Sequence, residues 1–265
     1  LDIIFEIQQK YANFSDKEKA IADYIVSQPD SIKNINITEL AKLIGTSSAT
    51  ITRFSKKIGC ENFVEMKMQL NSLISETESQ NTGIFSNVYQ HYQEVIEKTN
   101  TLTEKEMIFN IVQSIKQAQK IYIYGVGSSG LSASEMMQRL LRMGFNVHCI
   151  SDPHMMIINS SITSPQDLVI GLSLSGETKE VVDALRIAKK NGAQTACITS
   201  FDTSPIIHYS DLILKVYNTR FLGQKKFINS QFSTMYLLDL ISIVLLDDQV
   251  LNEKMQITID AILNT

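Results

Sequence analysis

Apolar residues recur at helical spacing through the first 73 positions of the chain. Ser15 and Glu18 stand as a capping-box pair ahead of Ala20, Ile21, Tyr24 and Ile25, which share one helical face, and Pro29 follows that run. Two shorter amphipathic segments, 38–44 and 47–58, are separated by Gly45. Another run, from Asn62 to Ile74, carries Phe63, Met66, Leu70 and Leu73 on one side. Residues 75–86 (SETESQNTGIFS) are polar and acidic and read as a linker, after which helical periodicity resumes over 88–118.

From Lys120 the period changes. Five β-rich runs, 120–124, 145–150, 167–172, 194–199 and 211–216, alternate with helical runs, among them 130–143 and 178–191, which end at Gly144 and Gly192. Near-continuous apolar strands between helices predict a parallel sheet covered on both faces. The expected architecture is therefore two domains. Residues 1–74 form an all-α domain, 75–106 a linker and leading helix, 107–247 an α/β domain with a five-stranded parallel sheet flanked by helices, and 248–265 a helical tail.

Composition narrows the function. The 265 residues are 44% hydrophobic and 20% charged, which excludes a disordered or fibrous chain. The most apolar stretch, Tyr236 to Leu246, carries Asp239 and is far shorter than the ~20 residues of a membrane span, so no membrane association is expected. Cys60, Cys149 and Cys197 are widely separated and flanked by apolar residues. They read as reduced thiols of a cytoplasmic protein, and the start of the chain shows no secretory signal. The four histidines have no ligand spacing, so neither a metal nor another cofactor is expected.

The net charge of −4 hides one basic island. Residues 40–60 hold Lys42, Arg53, Lys56 and Lys57 and no acidic residue, which points to an anionic partner met at one place. The same island contains the offsets of a helix-turn-helix. Ala41 is small where two helices would touch, Gly45 supplies the turn, and Ile51 and Phe54 lock the second helix, with Leu40 and Ile44 completing the core. Ser47 is the expected N-cap of that second helix. Ser48, Thr50, Arg53 and Lys57, with Lys56, then give it hydroxyls near its start and cations further along, as a recognition helix needs. A helical hairpin that only packs is the plainer alternative.

Two further segments carry chemistry. GVGSSG (Gly125 to Gly130) follows the first strand and SLSGET (Ser173 to Thr178) follows the third, each leading into a helix. In a parallel sheet both lie at carboxyl ends of strands, where ligands bind, and each offers backbone N–H groups at a helix N-terminus. Ser128, Ser129, Ser173, Ser175 and Thr178 add hydroxyl donors, a set that suits a phosphate monoester. GVGSSG is also formally GxGxxG, with Asp152 downstream to meet a ribose. A dinucleotide leaves the second hydroxyl-rich loop unexplained, and tight turns with capping serines would explain both loops without any ligand.

In this order the two constellations resemble the RpiR family of bacterial transcriptional regulators, in which a helix-turn-helix precedes a SIS (sugar isomerase) domain that binds a phosphosugar. SSATITRFSKKIGCENFVEMK resembles the first part of that family, and GVGSSG with LSLSGET the second. The resemblance implies operator DNA as one partner and a sugar-phosphate effector as another. It places Ser129, Ser173, Ser175 and Thr178 on the phosphate, with Ser128 and the loop glycines Gly127 and Gly176 beside them. SIS isomerases resemble one another in a glutamate after the last core strand that serves as base. Tyr217 to Leu238 contains no Asp or Glu, so a sensor is expected, with a sugar-phosphate isomerase as the alternative and no catalytic residue assigned. A homodimer or homotetramer is expected, because one helix-turn-helix buries little surface and two-fold operators match two-fold proteins. Phe232 to Leu246, with Met255, Ile259 and Ile262, is the expected extra interface, or else packs on its own sheet.

Overall fold

The computed structural model describes residues 3–32, 35–78, 84–219 and 229–264, and side chains at 29–30, 71–78 and 84–85 are not part of that description. The helices, in chain order, are α1 (Ile3–Lys10), α2 (Asp16–Ser27), α3 (Pro29–Ile32), α4 (Ile37–Ile44), α5 (Ser48–Lys57), α6 (Phe63–Glu78) and α7 (Ile84–Leu102). They are followed by α8 (Lys105–Gln117), β1 (Lys120–Gly125), α9 (Ser128–Arg142), β2 (Val147–Ile150), α10 (Pro153–Ser161), β3 (Asp167–Leu172) and α11 (Lys179–Lys190). The chain ends with β4 (Gln194–Thr199), β5 (Leu212–Lys215), α12 (Phe232–Leu246) and α13 (Gln249–Leu263).

Two compact units result. The first contains residues 1–94 together with 201–203 and 218–229; the second contains 95–200, 204–217 and 230–265. The boundary at 94 falls inside α7. The stretch 75–86 is also less of a linker than its polarity suggests. α6 runs to Glu78 and α7 begins at Ile84, because SETE contains no Gly or Pro and extends a helix already started. Residues 79–83 of that stretch lie outside the described residues.

In the first unit, local sequence fixes the helix starts. Ser15 caps α2 and Asn36 caps α4, each with a reciprocal glutamate, Glu18 and Glu39. α4 stops at Gly45, whose φ of 71° lies in the left-handed region, and the Thr46 N–H closes the end by donating to the Ala41 carbonyl. α2 packs on α4 and α5, and Ile21, Ile25, Leu40, Ile51, Phe54 and Ile58 are fully buried.

The second unit is a five-stranded parallel sheet in the order β2-β1-β3-β4-β5. Alternation along β1 sorts its two faces. Ile121 and Ile123 join Ile111, Ile115, Met136, Leu140, Leu237 and Ile241 of α8, α9 and α12. Tyr122 and Tyr124 point the other way, into a cluster with Met156 of α10 and Val181, Ala184 and Leu185 of α11. Helices thus cover both faces, as the apolar strands require. Two strands are shorter than their apolar runs, since Gly144 (φ 88°) turns the chain before β2 and β5 spans only Leu212–Lys215. α10 has no counterpart in the periodicity, although Asp152 caps it and Pro153 opens it, which is a start signal in its own right.

Candidate functional site

The basic island is a helix-turn-helix. Ser47 caps α5 by accepting from the Thr50 N–H at 3.2 Å, and its hydroxyl lies 2.9 Å from Thr50 Oγ1. Ile51, Phe54, Ser55 and Ile58 bury one side of α5. At 100° per residue the outward side is then centred on Ala49, Arg53 and Lys56, which are exposed. Ser48 and Thr50 are half-buried on opposite flanks, and Arg53 Nη2 donates to Thr50 Oγ1 at 3.4 Å. Ala49 was not among the expected contact residues, yet the wheel that buries Ile51 and Phe54 places it at the centre of the open face.

Lys57 departs from the expectation. Its ammonium donates to the Asn13 carbonyl at 2.8 Å and to Glu18 Oε2 at 3.0 Å, and sits 5.2 Å from the Phe14 ring centroid. Burial pushes the Glu18 carboxyl up, but bonds from Ser15 and Lys57 outweigh this and hold it below its ordinary value. Lys57 is therefore engaged inside its own unit, anchoring α5 to the start of α2. Arg53 and Lys56 remain as outward cations of the helix.

The two hydroxyl loops meet in the sheet. β1 and β3 are neighbours, and Gly125 is the direct partner of Leu172, so both chains leave the sheet side by side. From β1 the chain goes outward to β2 on one side and returns to β3 on the other. The loops therefore flank the point where strand order reverses, the position at which doubly wound sheets bind ligands.

Each loop is shaped for close approach. A Cβ at Gly125 would lie 2.5 Å from the Ser129 carbonyl oxygen, so only glycine lets β1 run this closely under α9. α9 starts at Ser128, two residues earlier than the periodicity suggests, with Gly127 (φ 58°) as its N-cap. Ser128 and Ser129 thus belong to its first turn, among N–H groups without helical partners. In the second loop, Ser173 Oγ lies 2.8 Å from Thr178 Oγ1 and accepts from the Gly176 N–H at 3.1 Å. Ser175 Oγ is exposed and accepts from the Glu177 N–H at 3.2 Å. Gly176 has φ 66°, and a side chain there would overlap Ser204. Thr178 caps α11 without a side-chain bond to that helix.

Other groups are accounted for structurally. Asp152 Oδ1 accepts from the Met155 N–H at 2.9 Å in capping α10. Burial pushes the Cys197 thiol up to about 11, despite a bond with Ser210, and raises those of Cys60 and Cys149 as well. No group of three or more His, Cys, Asp or Glu suited to a metal occurs among the described residues, and no described helix is long and apolar enough to cross a membrane. The cations Arg220, Lys225 and Lys226, which follow the last strand, lie outside the described residues.

The geometry agrees with comparison to known proteins. Residues 2–77 match the helix-turn-helix domain of the rpiR family, and residues 114–240 match the SIS domain. An uncharacterized HTH-type transcriptional regulator of Haemophilus influenzae is 30% identical over 99% of this chain and 96% of its own length. A second uncharacterized HTH-type transcriptional regulator, from Clostridium perfringens, is 31% identical over 91% of each chain. Among solved structures, the Vibrio vulnificus NanR protein complexed with ManNAc-6P superposes with a TM-score of 0.63 at 25% identity, covering 99% of this chain and 98% of that one. The chain belongs to the rpiR family of helix-turn-helix transcriptional regulators, with a SIS domain following the DNA-binding domain.

Proposed function

We propose that this regulator binds operator DNA through α5 and that a sugar phosphate held between the loops 125–130 and 173–178 sets its affinity. The observation that carries the second half is the pairing of Gly125 with Leu172. That pairing supports the reading because the loops carrying Ser128 and Ser129 and carrying Ser173, Ser175 and Thr178 leave neighbouring strands at the switch point, each leading into a helix N-terminus. Converging neutral donors and helix dipoles favour a dianionic group. The relative solved in complex with ManNAc-6P makes that compound the first to test, beside other hexose 6-phosphates. A thermal-shift screen across these compounds tests the reading, since a ligand bound only by the native state raises its melting temperature. No shift with any phosphosugar overturns it.

At the DNA, Arg53 and Lys56 are the cations we assign to phosphates. To base edges we assign Ser47, Ser48, Ala49 and Thr50, at the start of α5. The protein acts in the cytoplasm as a sensor and not as an isomerase, because Tyr217 to Leu238 offers no carboxylate to move a proton between sugar carbons. Incubation with each phosphosugar and a search for interconverted product tests this directly. The working form is a homodimer or homotetramer. α12 buries Leu237, Leu238, Ile241 and Leu245 on its own sheet but leaves Ile243 exposed, as are Ile257 and Ile262 of α13. These side chains are the surface we assign to a second copy.

A further inference from the structure

The start of α12 stands beside the start of α9, both within the second unit. Gln231, the N-cap of α12, accepts through Oε1 a hydrogen bond from the Ser132 hydroxyl at 3.0 Å. Ser132 lies one turn behind Ser128, whose carbonyl oxygen is 3.4 Å from the same hydroxyl. Since α9 begins at the carboxyl end of the sheet, directly after the first hydroxyl loop, α12 begins there too. α9 packs on β1 and β2, α8 packs on β5, and α12 packs against both helices, so α12 lies between them over the middle of the sheet. Its first turn therefore faces the switch point from the side that α9 covers.

That first turn carries two hydroxyls with nothing to bond. Ser233 is 0% exposed and Thr234 1%, and neither hydroxyl has a hydrogen-bond partner among the described residues. Thr234 shares the helical face of Leu237, Leu238 and Ile241, which pack on the sheet, and Ser233 stands one turn before Leu237. Helical side chains lean towards the N-terminus of their own helix, so both hydroxyls lean towards the carboxyl end of the sheet. A buried hydroxyl left unpaired is destabilising, so these two call for a partner from outside the chain. The N–H groups of the same turn, which have no helical acceptors, add donors around them.

We propose that Ser233 and Thr234 form a subsite for the sugar end of the phosphosugar, whose phosphate the loops 125–130 and 173–178 hold. The inference rests on the sensor function proposed above and adds the residues that distinguish a hexose 6-phosphate from phosphate alone. Ser and Thr hydroxyls both donate and accept, as sugar hydroxyls do, so each pairs with a sugar oxygen in either sense. The two side chains are enclosed, so a sugar reaches them only between the starts of α9 and α12. Gln231 is a positioning residue, because its bond to Ser132 fixes the separation of those two helix starts.

The test uses full-length Thr234→Val, Thr234→Ser and Ser233→Ala in calorimetric titrations. The probes are whichever hexose 6-phosphate binds the wild type most tightly, ManNAc-6P included, and inorganic phosphate as its competitor. Thr234→Val keeps the shape of the side chain and removes its hydroxyl, so affinity for the hexose 6-phosphate should fall at least about fivefold. Inorganic phosphate, which has no sugar to reach α12, should compete with the wild-type inhibition constant, and Thr234→Ser should restore the sugar affinity. Should Thr234→Val lose its native circular dichroism, Ser233→Ala takes its place with the same expected outcome. Unchanged affinity for the hexose 6-phosphate, or an equal loss for inorganic phosphate, overturns the subsite while leaving the sensor intact. A wild type that binds no hexose 6-phosphate, or binds one that inorganic phosphate fails to displace, overturns the sensor reading, and the subsite with it.

Discussion

Lys57 Nζ lies 3.0 Å from Glu18 Oε2, joining the last turn of α5 to the capping box of α2. The pair engages this basic residue of α5 within its own unit. Lys57→Ala should lower unfolding stability by about 0.2–1 kcal/mol, the range of partly exposed pairs. The salt dependence of operator binding should keep its slope, because no phosphate contact is lost. Urea denaturation and a salt titration of operator affinity check both halves.

Arg53→Ala and Lys56→Ala should behave in the opposite way. Both side chains are exposed on the open face of α5, so stability should hardly change. Operator binding should weaken severalfold, and the slope of log affinity against log salt should shrink by about one unit for each lost contact. A slope equal to the wild type's in both variants would place the DNA interface elsewhere.

Gly125 and Gly176 should tolerate no side chain. Gly176→Ala forces a φ of 66° on alanine and drives its methyl into Ser204, and Gly125→Ala pushes against the backbone of α9. Each should cost more than about 1 kcal/mol and abolish phosphosugar binding. Calorimetric titration of either variant, at a temperature where it remains folded, checks this. Retained affinity would show that the loops need not adopt these conformations to bind.

Acid should loosen the joint between β4 and β5. The Asp211 carboxyl is raised by burial but lowered more by Lys189 and by the N–H and hydroxyl of Thr195, so its folded pKa lies below the ordinary 3.8. A depressed folded pKa contributes stability above the unfolded value that is lost as pH falls through the folded one. Asp211→Asn should therefore lower stability at pH 7 and flatten its decline below about pH 4. Denaturation curves measured from pH 3 to pH 7 give the comparison.

Much of this is written in local sequence. The capping residues Ser15 and Ser47, the turn at Gly45 and the glycine loops after β1 and β3 follow from backbone chemistry that acts within a few residues. The five strands were legible because their apolar runs have nowhere to lie except between two layers of helix. Lys57 was not legible as a structural residue. Its partners Asn13 and Glu18 are some forty positions away, and nothing in a basic string tells which cation pairs with its own unit. The side-by-side exit of Gly125 and Leu172 likewise depends on sheet order, which periodicity leaves open. α10 was missed for another reason. Its run PHMMIINSS is too short and too evenly apolar to show a helical stripe, so only its Asp152–Pro153 start marks it.

The central claim is that phosphate held by the two loops governs DNA binding, and one titration tests it most directly. Operator Kd is measured for wild type and for Ser129→Ala at increasing concentrations of the tightest-binding hexose 6-phosphate and of the same sugar without phosphate. A hydrogen bond to a charged group contributes about 1.5–3 kcal/mol, so losing the Ser129 hydroxyl should raise the half-effective concentration about tenfold or more. The account predicts that only the phosphorylated sugar changes the wild-type Kd. It also predicts that Ser129→Ala binds sugar-free operator normally and needs at least that higher concentration to respond. An equal response to the unphosphorylated sugar, or a Ser129→Ala response at the wild-type concentration, would contradict it.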